Sequence, residues 1–342
     1  MFVSPEKITV GGKTYPEVID HHKSKDLKID YYNLQGWGYK DSGFKYDHQA
    51  KGVRILGNRY MYGGQVLPGL EPFTQAAFGM DFNSYADEPK EFQVTEPKIV
   101  HEFLEELGEK NFSRRSFSKN DRVHHSHGQT FEEVFELREG KLKKYVDLVV
   151  YPYTTEHCEV LVQLANKHNV VIVPYGGGTN VSQSLKLPQE EQRMIVSCDM
   201  TRMNQVKWVD KENGLACVQA GIFGQDLERD LKYYGVVSGH EPDSMEFSTL
   251  GGWISTRASG MKKNTYGNID DIVQNITLVT SKGTYNKKAT WPRISNGPDL
   301  NHMVIGSEGN FGIVTEAIIK VKPLPEVRIF ESILFYDWED GV

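Results

Sequence analysis

The spacing of apolar residues changes period along this chain, and the changes mark its elements. "VDLVVYP" (146–152) is a short apolar run stopped by a proline, the pattern of a buried strand. "TTEHCEVLVQLANKHN" (154–169) switches to helical spacing. Val160, Leu161, Leu164 and Ala165 form its apolar stripe, Thr154 or Thr155 can cap it, and Glu156 and Glu159 suit its positive end. "VVIVP" (170–174) returns to a strand pattern, so 147–151 and 170–174 read as parallel, buried strands of one β-α-β unit. "RMIVSCDM" and "QVKWVD" follow as strands, "DKENG" as a hairpin turn and "LACVQAG" as its return. "GQDLERDLKYYG" is a helix with Leu227, Leu231 and Tyr234 on one stripe and Gly235 at its end. "IVTEAIIKVKPLP" is the last clear strand. The order is α+β rather than a regular alternation.

Residues 1 to about 140 are less regular. "YYNLQGWGYKDSGF" (31–44) has too many glycines for a helix and poor alternation for a long strand. "GGQVLPGLEPFTQAAFGM" carries turn signals and then a short helix-like stretch. Two further helices are predicted. One spans 101–111, with Phe103, Leu104 and Leu107 on a face. The other spans 129–140, with Phe131, Val134, Phe135 and Leu137 apolar and Gly140 as its stop. The chain stops after a strand-like run, Ile333 to Phe335.

Composition narrows the function. With 39% hydrophobic and 25% charged residues the chain is of ordinary globular type, and a net charge of −7 argues against a dedicated nucleic-acid binder. No apolar run is long enough to span a membrane as a helix, though peripheral contact stays open. Cys158, Cys198 and Cys217 are odd in number and never at C-x-x-C spacing, which points to a reducing compartment rather than a disulfide framework. The first residues lack the pattern of a signal or transit peptide, and the last ones are not a peroxisomal tripeptide.

The candidate chemistry centres on "VVIVPYGGGTNVS" (170–182). It is not a Walker A loop, because Thr179, Asn180 and Val181 stand where Lys-Ser/Thr is needed. Nor is it a Rossmann fingerprint, because Val181 takes the place of the third glycine. Two readings remain: a tight turn without a ligand, or a nest of backbone N–H groups that cradles an anion. Its place after a buried parallel strand favours the nest. Two more glycine-spaced loops, 239–271 and "GSEGNFGIVTEA" (306–317), suit one extended phosphate-bearing ligand gripped by backbone.

These stretches resemble a known family. "PYGGGTNV", "PDS…ST.GGW.STRASG" and "GSEG..G..TEA.IK..P.P" are similar to the FAD-binding domain of the vanillyl-alcohol oxidase, or PCMH, type. "GHEPDSMEFSTLGGWISTRASGMKKNTYGNIDD" resembles the alkyldihydroxyacetonephosphate synthase family, as do "GWGYKDS" and the 121–140 stretch. The resemblance implies a two-subdomain FAD-binding fold over residues 142–324, divided near 205. An N-terminal mixed, partly helical region (1–141) would precede it, and residues 325–342 would begin a cap domain whose remainder is absent.

The same resemblance implies site residues. Pro174, Tyr175, Gly176, Gly177, Gly178, Thr179 and Asn180 would hold the FAD pyrophosphate. Asp243, Ser244, Met245, Glu246, Phe247, Ser248 and Thr249, with Thr256, Arg257, Ala258 and Ser259, would line the flavin and its ribityl chain. Glu308, Gly309, Asn310, Phe311, Gly312, Ile313 and Val314 would close over the rest; the family more often has Thr-Leu at Asn310-Phe311. No histidine stands beside the pyrophosphate loop, so non-covalent FAD is expected. The implied reaction replaces the acyl group of acyl-dihydroxyacetone phosphate by a long-chain fatty alcohol, with the flavin as electron sink and covalent handle and no net redox. A peroxisomal homodimer is implied too. A 2-hydroxy-acid dehydrogenase and an inactive FAD-binding fragment are the alternatives.

Histidines need separate weighing. His124, His125 and His127 suggest a metal by spacing alone, but no carboxylate or cysteine cluster supports one, so no metal is expected. His21 and His22 read as solvated surface. His240, before the 241–249 loop, is a catalytic acid–base candidate or a satisfied core histidine. Arg257, Lys262 and Lys263 are candidates to attract phosphate, with a solvated helix face the competing reading for the two lysines.

Overall fold

The computed structural model describes residues 32–60, 62–79, 90–110, 112, 114–288, 295–329 and 331–342, together with a hairpin of strands Lys7–Val10 and Lys13–Pro16. His21 and His22 lie outside the described residues.

Two sheets carry the fold. The first runs, in spatial order, Arg115–Ser116, Leu148–Val150, Ile195–Asp199 and Val171–Tyr175, the last three parallel. The two strands expected to flank one helix are therefore parallel, but Ile195–Asp199 lies between them. That fully buried central strand leaves Val171–Tyr175 at the edge and largely half-buried, which corrects the expectation of a buried strand. Between them runs the helix Thr155–His168, capped by the Thr154 hydroxyl, which accepts from the His157 amide. It ends at Asn169 in the left-handed region (φ 54°). Cys158, Leu161, Leu164 and Ala165 are its buried side chains, while Val160 is only partly covered.

The second sheet is antiparallel, in the order Val206–Asp210, Leu215–Gln219, Ile313–Lys320, Val273–Thr280 and Gly283–Asn286. The helix Gly224–Tyr233 packs Leu227 and Leu231 into its core beside Ile222, Trp253 and Ile254. Val279 and Ile313 reach from this sheet into the core under the first, so the two sheets share side chains.

The N-terminal region is bound to the first sheet. Helix His101–Glu109 buries Phe103 and Leu107 in the core that holds Leu161 and Val196. The buried Asp147 carboxylate accepts from the amides of Lys98 (2.9 Å) and Ile195 (2.8 Å). Helix Phe131–Arg138 opens with a capping box between Thr130 and Glu133, and Leu137 is fully buried. Its Phe131 and Phe135 instead stack on each other in solvent, because the inward positions of this short helix are Glu133 and Leu137. Ile333 to Phe335 form no strand: they are exposed, and only Trp338–Gly341 is regular beyond them.

Leu161→Ala would open a cavity in the core shared by helix, sheet and N-terminal region. A loss of about 3 kcal/mol is expected in urea unfolding, whereas a loss below about 1 kcal/mol would place Leu161 outside the load of that core.

Candidate functional site

The expected loops meet around one cleft of about 380 Å³ at the carboxyl ends of the parallel strands. Residues 174–180 all line it, with Ser244, Ser248, Thr249, Thr256, Ala258, Glu308, Gly309, Gly312, Ile313 and Val314. Asp243, Met245, Glu246, Arg257, Ser259, Asn310 and Phe311 do not. Three of them are engaged elsewhere. Glu246 accepts from the Tyr60 hydroxyl (3.2 Å), Arg257 pairs with Asp270 (2.8 Å) and Ser259 donates to Asn268 (2.8 Å). Phe247 faces an aromatic group instead, with Trp37 and Tyr39 at 5.0 Å each. Lys262 pairs with Glu241 (2.6 Å) rather than facing the cleft.

The long 239–271 stretch is not irregular throughout. Leu250–Thr256 is a helix, whose cap Thr249 accepts from the Gly252 amide. The paired glycines hid it from a pattern reading. They are there because Gly251 packs on Ala220 and its amide donates to the Ala220 carbonyl (2.6 Å). The Ile222 carbonyl takes the Leu250 amide (3.0 Å), so this helix starts on the end of the second sheet's strand.

The triple glycine is explained first by protein contact. A Cβ on Gly177 would stand 1.6 Å from the Phe247 carbonyl oxygen, and one on Gly176 2.3 Å from the Thr249 hydroxyl. Gly178 adopts φ 68° against the Tyr175 ring. Any side chain at 177 therefore points into the 247–249 loop rather than into the cleft. The third loop is tied in by the Glu308 amide to the Ser255 carbonyl (2.9 Å) and by the Ser182 hydroxyl to the Glu308 carboxylate. Glu308 itself sits at φ 49°, in the left-handed region.

The cleft fits an extended polar anion. Among the described residues the amides of Gly177, Gly178 and Thr179 have no backbone acceptor. Thr179, Ser182, Ser184, Ser244, Ser248, Thr249 and Ser255 line the same cleft, and no lysine, arginine or histidine lines it among the described residues. Backbone and hydroxyl donors are what remain to meet phosphate oxygens. Ser182, Ser184, Met200, Ala220, Gly251, Gly252 and Ser255 were not anticipated as lining residues. The signal for Met200 was its place one residue past the strand Ile195–Asp199.

A family described as an FAD binding domain matches residues 146–287. Residues 146–287 are an FAD-binding domain. FAD is its cofactor, and the mixed helix-and-sheet PCMH-type architecture expected from the sequence is the one found. The chain is 40% identical over 330 residues to alkyldihydroxyacetonephosphate synthase of Caenorhabditis elegans, covering 95% of the chain and 55% of that protein. It is 41% identical over 320 residues to the synthase of that name from Dictyostelium discoideum, covering 90% and 52%. A solved structure of alkyldihydroxyacetonephosphate synthase superposes with a TM-score of 0.79 at 34% identity, covering 87% of this chain and 56% of that one. The chain thus spans about half the length of the curated relatives it matches.

The histidines of "DRVHHSHG" have structural partners. His125 Nδ1 lies 2.6 Å from the Asp121 carbonyl and Nε2 2.7 Å from Asp199. The carbonyl only accepts, so Nδ1 donates to it, and Nε2 faces the Asp199 carboxylate. This buried pair lies under the Tyr175 ring, 4.3 Å away. His124 stacks on Tyr32 (5.3 Å), and burial pushes its pKa well down. Burial first, then nearby Asp199, pushes the Tyr32 hydroxyl up to about 12, so it stays protonated.

His240 does not reach the cleft. It is 1% exposed, packs edge-on against Trp253 (4.9 Å) and has no partner at either ring nitrogen. Burial lowers its pKa from 6.5 to about 4. The folded state thus binds fewer protons than the unfolded one between those values, so His240 supports stability above about pH 6.5 and progressively loses that support as pH falls toward 4.

Two outcomes follow. Gly177→Ala should weaken FAD binding at least 100-fold in a fluorescence titration, while Gly252→Ala, whose Cβ meets Thr249 Oγ1 at 3.3 Å, costs under tenfold. Equal losses would separate the glycine loop from the 247–249 contact. In acid titrations His240→Gln should flatten the loss of stability between pH 6.5 and 4, an effect of up to about 3 kcal/mol; an unchanged slope would place that proton uptake elsewhere.

Proposed function

We propose that this protein is an FAD-dependent alkyldihydroxyacetonephosphate synthase of ether-lipid formation. Its substrates on this reading are an acyl-dihydroxyacetone phosphate and a long-chain fatty alcohol. The bond between the substrate carbon and the acyl oxygen breaks, the fatty acid leaves as its carboxylate, the alcohol oxygen takes its place and the alcohol proton is released. Electrons balance without an external oxidant. The observation that carries the reading is the likeness to synthases of that name along 95% of the chain, combined with the three interlocked loops around one cleft.

Within this proposal residues 174–180 hold the pyrophosphate, Ser244, Ser248 and Thr249 with Thr256 and Ala258 line the flavin and its ribityl chain, and Glu308, Gly309, Gly312, Ile313 and Val314 cover the rest of the cofactor. Bound there, FAD supplies an electron-accepting ring. The protein's part is to bind and orient it through backbone amides and hydroxyls. On this reading FAD is held non-covalently, in keeping with a cleft that no histidine or cysteine lines among the described residues. Residues 142–324 act as the cofactor-binding unit and 325–342 lead toward a cap. A peroxisomal homodimer with peripheral membrane contact completes the proposal.

Incubating the protein with palmitoyl-dihydroxyacetone phosphate and hexadecanol should yield the hexadecyl ether and palmitate, with the flavin oxidised before and after. Anaerobic bleaching of the flavin by D-lactate or glycolate, without ether product, would overturn the reading. Acid precipitation should leave all the flavin in the supernatant; flavin retained in the pellet would contradict non-covalent binding.

A further inference from the structure

Residues that precede the FAD-binding domain reach its 243–249 loop without reaching the cleft. Trp37, Tyr39 and Tyr60 contact Glu246 and Phe247, and none of these five lines the cleft. The domain itself begins at residue 146.

Two kinds of contact hold the loop. The Glu246 carboxylate accepts from the Tyr60 hydroxyl (3.2 Å) and hydrogen-bonds the Tyr39 hydroxyl as well. Burial first, then the charge of Glu246, raises the pKa of both phenols, so both stay protonated and donate. The Phe247 ring meets Trp37 edge-on (5.0 Å) and Tyr39 at a tilt (5.0 Å). The residues making these contacts are fixed in turn. The Arg59 guanidinium lies 3.9 Å over the Tyr39 ring and pairs with Asp41 (2.6 Å). A Cβ on Gly57 would stand 1.9 Å from the Asp41 carbonyl oxygen, so the segment carrying Arg59 and Tyr60 is pressed against the one carrying Tyr39 and Asp41.

The loop transmits this hold to the cleft. The Phe247 carbonyl abuts Gly177, and the next two residues, Ser248 and Thr249, line the cleft. Their C-terminal side is anchored within the domain: the Ser248 hydroxyl accepts from the Trp253 indole (2.7 Å), and Thr249 caps the helix Leu250–Thr256. Glu246 and Phe247 anchor the other side to residues 37–60.

We infer that Trp37, Tyr39 and Tyr60 are positioning residues for FAD: through Glu246 and Phe247 they hold the 247–249 loop against Gly177 and so set how long the cofactor stays bound. The inference rests on the reading that the cleft takes FAD. Changes around one binding site act mostly on dissociation, so the release rate is where the effect appears.

The test follows free-flavin fluorescence after dilution of the FAD-loaded protein, beside the association rate of the flavin-free one. The double variant Tyr39→Phe, Tyr60→Phe should release FAD about tenfold faster, with association changed less than about threefold. Trp37→Ala should do the same, and Trp37→Phe, which keeps an aromatic edge on Phe247, should restore slow release. Tyr46→Phe is the control in the same region, because its hydroxyl donates to Glu71 (2.8 Å) and not to the loop; it should release FAD at the parent rate. In a Glu246→Ala background Tyr60→Phe should add no further acceleration, since its action passes through that carboxylate. A merely structural role would lower the melting temperature of the flavin-free variants and leave release unchanged. The inference is overturned if the double tyrosine variant releases FAD like the parent, if Tyr46→Phe accelerates release equally, or if Tyr60→Phe adds its full effect to Glu246→Ala. Should Trp37→Ala fail to fold, the tyrosine variants decide. Failure of the cleft reading is separate: the parent protein would then take up no FAD in the first place.

Discussion

Much of this structure depends on the close approach of two backbones, that of Gly177 to the carbonyl of Phe247. No side chain fits at 1.6 Å. The contact fixes the loop after Val171–Tyr175 against the loop that begins the helix Leu250–Thr256, and so joins the first sheet to the second. Gly221 repeats the logic, with its would-be Cβ 1.7 Å from the Met200 carbonyl. At both places glycine serves the assembly of the cleft walls before it serves any ligand. The amides that remain facing the cleft are a consequence of that assembly.

Behind the same loop lies a buried polar pair. His125 and Asp199 are hydrogen-bonded (2.7 Å) beneath Tyr175, whose ring in turn limits Gly178. Removing one member leaves a buried polar group unpaired, which typically costs about 1–3 kcal/mol. The N-terminal region supplies His125, so it supports the glycine loop from below and, through Trp37 and Tyr39, braces Phe247 from the side. The FAD-binding domain is thereby held by residues that precede it in sequence.

Periodicity revealed most of the regular elements because their burial is periodic. Thr155–His168 and Gly224–Tyr233 each carry an apolar stripe and a clear stop, and both were legible. Sheet order was not: nothing local in "VDLVVYP" or "VVIVP" says that Ile195–Asp199 will lie between them. The helix Leu250–Thr256 was masked by glycines that tertiary contact requires. In the site, the glycine loop and the 306–317 loop were readable from backbone-permissive residues. Side-chain direction was not, which is why Glu246, Arg257 and His240 were expected near the cofactor and are found paired or buried elsewhere. Phe131 and Phe135 show the same limit on a short helix.

The central claim is that the three loops form one FAD cleft and respond to the cofactor as a unit. Hydrogen exchange of the flavin-free and FAD-saturated protein tests it directly. Amides of 176–180, 247–252 and 308–312 should gain protection together at one FAD concentration, with Gly177, Gly178 and Thr179 slowed most. Protection confined to one loop, or appearing only in segments outside all three, would contradict the account.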